Sequence, residues 1–323
     1  MFGHAHASIG KILPEFALIE PSGQAKTNAG QTKGALQTGA GAMVRPMKKT
    51  GLSLRADESP QTGVRRIADG LLDAALRRAR RPTRNPVEDI HFFRTTTKRL
   101  RALLQLIRPV IAATTFNREI ARLKRAAGRL APFRDRAVAG KTLKALGKSV
   151  ALLRRIGLAH FTKKAQEKGN PRNAMRQASR DLAQSRRAFE RLRIGGKGWE
   201  VIGPGLMRTY RQARRRMKAA VADPSDNAFH RWRVRVKQLY YQLEWLEAVL
   251  PKHFGRMRKR LHELEEKLGT DHDLVVLLEL LRNMPGTSDA AGDLDQVRKS
   301  AMKRSRRLRR ASERLGAKSL LKN

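Results

Sequence analysis

A chain of 323 residues with 70 Lys and Arg against 28 Asp and Glu carries a formal net charge of +42. That excess repels itself in a compact state and calls for a polyanionic partner: nucleic acid, polyphosphate or an anionic membrane surface. The absence of cysteine excludes disulfides, thiolate chemistry and cysteine-ligated zinc, and fits an intracellular, cytoplasmic setting.

Residues 1–55 are rich in Gly, Ala, Thr and Gln and show no apolar period, so a disordered tail is expected there. The chain start lacks a basic, then apolar, secretory pattern, and "HAH" at 4–6 is not taken as a metal site. No apolar run approaches the ~20 residues of a membrane span. From about residue 56 the pattern is helical. "SPQTGVRRIADGLLDAALRRARR" places Val64, Ile67, Leu71, Leu72, Ala75 and Leu76 at helical spacing. Asn85 and Pro86 read as cap and first residue of the next helix, which Pro109 ends. A third helix is expected to end near Pro132, a fourth to begin at Asp135, and a fifth to cover "AMRQASRDLAQSRRAFERL" after a polar spacer. The Gly-rich "IGGKGWEVIGPG" divides a first half, 56–195, from a second, 200–323.

The second half restarts the cycle. "GLMRTYRQARRRMKAAVA" resembles the first helix. "DPSDNAFHRWRVRVKQLYYQLEWLEAVLP" resembles the second, and "GRMRKRLHELEEKLGTDHD" the third. "LVVLLELLRNM" and "DLDQVRKSAMKRSRRLRRASERL" complete the set. With no alternating β-branched run, the expected fold is all-α: two helical bundles related by an internal repeat.

The second helix of each half carries the chemistry. At ~100° per residue, His91, Arg94, Lys98 and Arg101 fall within about 80° of one another, opposite Phe92, Phe93, Leu100, Leu103, Leu104 and Ile107. Arg99 lies off this stripe. His230, Arg233 and Lys237 repeat the first three offsets in the second half. A solvated cationic face is the ordinary reading of one such helix. Two matching rows, each led by histidine and almost free of acids, point instead to phosphate, which Arg meets with a fork and Lys with a point charge. Trp232, Trp245, Tyr240 and Tyr241 sit at core spacing, Tyr240 nearest the cationic stripe.

These residues resemble the CHAD domain, a helical family named for its histidines. His91, Arg94, Lys98, Arg99 and Arg101 match its arrangement H-x-x-R-x-x-x-[KR]-[KR]-x-R. His230, Trp232, Arg233 and Lys237 are similar to its H-x-W-R-x-x-x-K segment. "LAPFRD" (130–135) and "LGTDHD" (268–273) are similar to its LG-x-x-R-D turn, though the first lacks Gly and the second has His272 where Arg is usual. The resemblance spans about residues 57–320. It implies two bundles related by a pseudo-twofold axis, a basic groove, and binding of inorganic polyphosphate, often at polyphosphate granules. By position it nominates His91, Arg94, Lys98, Arg99, Arg101, Arg134, Arg208, Arg211, Arg215, His230, Arg233 and Lys237 for anion binding. Gln238 and Tyr240 replace the later cations of the second row. Asp135 and Asp273 are read as N-caps, with orientation of a nearby Arg or His as a secondary role.

CHAD domains are sometimes fused to a triphosphate-tunnel domain marked by E-x-E-x-K. "ELEEK" at 263–267 matches that string, but the tunnel motif belongs to a barrel strand. On a helix Glu263 and Glu265 stand about 200° apart and are expected to pair with Arg260, Lys267 or their neighbours. No cofactor or metal is implied. The expectation is a non-catalytic polyphosphate-binding protein; a nucleic-acid-binding protein is the alternative, and a polyphosphate-processing enzyme a third reading.

Overall fold

The computed structural model describes residues 52–147, 170–249, 251–282 and 291–321. The expected tail up to residue 51, with its two histidines, and the polar spacer before the fifth helix lie outside these residues, apart from the spacer's last few positions.

Helices account for the architecture, and no strand occurs among the described residues. In chain order they are α1 (Pro60–Arg80), α2 (Pro86–Ile107), α3 (Ala113–Arg129), α4 (Ala131–Ala145), α5 (Pro171–Glu190), α6 (Gly203–Ala222), α7 (Asp226–Leu246), α8 (Pro251–Arg282) and α9 (Ala291–Gly316). The starts are written locally. Ser59, Asn85, Asn170 and Ser225 each accept a hydrogen bond from a backbone N–H of the first turn, and proline follows the first three directly. Asp89, fully buried, accepts from Thr83 N at 2.9 Å and from the Arg78 guanidinium, which fixes the turn between α1 and α2.

Leu52 and Leu54 fall inside the expected tail, yet both are buried. Leu54 N donates to the carbonyl of Trp245 at 2.9 Å, and Ser53 O accepts from Arg66 at 2.7 Å. The packed chain therefore begins before residue 55.

The third helix of each half behaves differently. The first half breaks between α3 and α4 at Leu130, because Pro132 cannot donate a backbone hydrogen bond there. The second half has Gly269 and Thr270 in the corresponding stretch, and α8 runs unbroken for 32 residues. The two expected helices "GRMRKRLHELEEKLGTDHD" and "LVVLLELLRNM" are thus one.

One hydrophobic core runs through both halves, including Phe93, Leu103 and Leu182 from the first and Trp232, Leu243 and Leu264 from the second. Helix α2 packs directly on α7 and α6. Gln242 Nε2 donates to Ala102 O at 3.0 Å across the first junction. At the second, a Cβ on Gly205 would coincide with the Leu106 carbonyl. A smaller core joins Ala139 and Leu143 of α4 to Leu277, Leu281, Leu294 and Val297 of α8 and α9, so a first-half helix is packed into the second half.

Candidate anion-binding cleft

Because α2 lies against α7, their cationic rows face one another across one cleft of about 220 Å³. Arg94, Lys98 and Arg101 line it from α2, and Arg134 from α4. His230, Arg233 and Lys237 line it from α7. Gln238, Tyr241, Val234 and His272 complete the wall.

Each cation is held differently. Arg94 donates through Nη1 to the carbonyl of Ala127 at 2.7 Å, near the C-terminus of α3. Arg134 donates to Asp273 at 2.6 Å and to its neighbour Asp135 at 3.0 Å. Both acids lie inside helices, so they orient Arg134 and are not N-caps. Lys237 bonds Glu265, and Arg233, buried, lies 3.9 Å from the same carboxylate. Glu265 therefore pairs across helices with the second row, not with Arg260 or Lys267. Glu263 is exposed on the same helix. Among the described residues, no carboxylate pairs with Arg94, Lys98 or Arg101. The α2 row is the one without a direct ion pair, and Nε of both Arg94 and Arg101 is buried without a partner.

The protonation equilibria register this crowding. Burial, then Arg233, Lys237, Arg94 and Arg134, hold the Lys98 ammonium well below the ordinary lysine range. Burial, then Arg233, His230, Arg134 and Lys98, push His272 down to about 3. His230, whose ring centroid is 4.7 Å from that of His272, is lowered by burial and by Arg233, Lys98, Arg134 and Arg101. Glu265 moves the other way from what its burial favours, because Lys237 and Arg233 hold it ionised. An entering anion would reverse the cationic penalties, since it favours the charged form of each group.

Five of the nominated residues stand elsewhere. His91 is exposed and does not line the cleft, although burial and Lys98, Lys237, Arg134 and Lys141 lower its pKa. Arg99, off the stripe, pairs with Glu244 at 2.9 Å and covers the Tyr241 ring at 4.7 Å, facing away from the cleft toward Leu52 and Ser53. Arg208 lies beside Arg108 on the α6–α2 junction, while Arg211 and Arg215 are exposed on α6. The aromatics divide in the opposite sense to their spacing. Tyr241, 4% exposed, forms part of the cleft wall; Tyr240 stacks on His262 at 5.4 Å, outside it. Trp232 and Trp245 are fully buried. His272, noted in the sequence only for standing where Arg is usual, was not nominated, yet it lines the wall. Its place in "LGTDHD" matches that of Arg134 in "LAPFRD", and the two meet at the same cleft.

A family model described as the CHAD domain matches residues 39–282. The chain belongs to the CHAD family. The match begins inside the expected tail and ends with α8. Among solved structures, the crystal structure of the CHAD domain from the plant Ricinus communis is similar at 21% identity with a TM-score of 0.62, covering 84% of this chain and 97% of that one. The likeness carries the CHAD fold. A search of the curated proteins finds no match.

Proposed function

We propose that this CHAD protein binds inorganic polyphosphate in the cleft between α2 and α7 without catalysing its turnover. The observation that carries the reading is the α2 row: Arg94, Lys98 and Arg101 converge on one concavity with no carboxylate partner among the described residues. Such a concentration of cations is costly unless an anion fills it. Polyphosphate supplies closely spaced charges that both rows meet at once. Nucleic acid is the competing polyanion, and the cleft favours it less, because its one Phe, Tyr or Trp ring, Tyr241, is buried and offers no face for base stacking. A cytoplasmic protein with this affinity would collect at polyphosphate granules. Among the described residues, no helix is long and apolar enough to cross a membrane.

The test is competition between long-chain polyphosphate and RNA of equal phosphate count at ~150 mM salt. Polyphosphate is expected to win, and prolonged incubation is expected to leave its chain length unchanged. Preference for RNA would replace this reading with nucleic-acid binding; shortening of the polymer would make the protein an enzyme.

A further inference from the structure

A second concavity, of about 480 Å³, opens between the first half of α3 and the last turns of α5. Arg118 and Arg122 reach it from α3. Arg187 and Arg191 reach it from the end of α5, and Arg193 from the chain just beyond. None of these belongs to either histidine-led row. Gln184, Arg187, Ala188 and Arg191 are spaced i, i+3, i+4 and i+7, so they form one face of α5 turned toward α3. Buried Leu192 lies among the lining residues.

The charge there is unbalanced. Glu119, 1% exposed, is the carboxylate of the lining; it engages Arg122 and lies 3.7 Å from Arg118. No carboxylate among the described residues pairs with Arg187, Arg191 or Arg193. The first turn of α3 adds a positive end. Ala112 provides no side-chain cap, the turn holds no acid, and both Ala112 and Thr115 border the cavity. Guanidinium forks around an uncapped helix start suit an anion with several oxygens better than a single carboxylate.

We infer that the α3–α5 cavity is a second anion site, separate from the cleft, that takes a short condensed phosphate. The two sites sit toward opposite ends of α3. Ala127, whose carbonyl holds Arg94, and Thr115 are twelve residues apart, about 18 Å at ~1.5 Å per residue. The inference rests on the α3–α5 residues alone and does not require the cleft to bind polyphosphate.

Calorimetric titration of the full chain with tripolyphosphate at ~150 mM salt separates the two. Arg187 and Arg191 are exposed, so R187Q/R191Q removes charge without opening the core. The comparator K303Q/R310Q removes the same charge from exposed positions on α9. The wild type is expected to show two sites. R187Q/R191Q should weaken one of them at least about tenfold, the scale of one lost charge-assisted contact, while K98M/R101Q weakens the other. Equal behaviour of R187Q/R191Q and K303Q/R310Q would overturn the inference, as would full displacement of tripolyphosphate from this site by equimolar citrate. Loss confined to R187Q/R191Q, with K98M/R101Q unchanged, would sustain it while removing support from the cleft reading.

Discussion

Lys98 shows how a residue can be chosen against the stability of its own fold. It lines the cleft among Arg94, Arg134, Arg233 and Lys237, has no carboxylate partner among the described residues, and is held well below its ordinary pKa. Replacing it with methionine keeps the apolar stem and removes the repulsion. Lys98→Met is therefore expected to raise the melting temperature of the free protein by about 3 °C and to weaken polyphosphate binding about tenfold. Differential scanning fluorimetry and a titration check the two halves of that statement. Arg233→Ala should differ, because it leaves partly buried Glu265 with Lys237 as its one ion-pair partner among the described residues; it should lower both stability and affinity. The histidines set the acid limit. His272, at about 3 in the folded chain, titrates near 6.5 when unfolded. The unfolded state therefore takes the proton first, and the His272 contribution to folded stability is complete above about pH 6.5 and is lost as pH drops toward 3. Melting of the free protein should show this decline, His272→Gln should flatten it, and bound polyphosphate should oppose it by favouring the charged imidazole. A decline that His272→Gln leaves untouched would place the acid sensitivity elsewhere, with Glu265 the next group to test.

At the scale of helices, much was legible and the exceptions are instructive. Caps such as Asn85–Pro86 and the stop at Pro109 are local chemistry, and they fall where the sequence places them. The cationic rows follow from helical spacing alone. Their convergence does not, because nothing within α2 indicates that α7 will lie against it. The neutralising acids were hidden for the same reason: Glu265 and Asp273 reach their partners from other helices, and only the folded chain joins them. "LGTDHD" reads as a turn by analogy with "LAPFRD", yet glycine alone does not stop a helix when both flanks are packed; proline does. Leu52 and Leu54 were lost in a polar, glycine-rich context, although both are buried and Leu54 lies beside Trp245 and Gly63. Gly205 supplies the sharpest test of the α2–α6 junction. A side chain there would enter the Leu106 carbonyl, so Gly205→Val should cost about 3 kcal/mol in denaturant unfolding and loosen the cleft wall behind Arg101.

The whole molecule is less divisible than a reading of its sequence as two halves suggests. The larger core takes residues from both halves, and α4 buries Ala139 and Leu143 against α8 and α9. Cutting between residues 195 and 200 should therefore yield fragments that stay unfolded when expressed separately, and calorimetry of the intact chain should show one transition. Two resolved transitions would mean that the halves are autonomous after all.

The crossing of α4 into the second half also has a kinetic consequence. Arg134, which lines the cleft from α4, is tied to Asp273 on α8 at 2.6 Å, so a first-half residue of the cleft wall is fastened to a second-half helix. A hinge between the halves would have to pull that helix out of its packing before the mouth could widen. The ligand must then enter a gap that already stands open, guided by the field of the chain's excess positive charge. In stopped-flow mixing, the observed association rate should climb linearly with polyphosphate concentration and reach no plateau, because no slow opening step precedes capture.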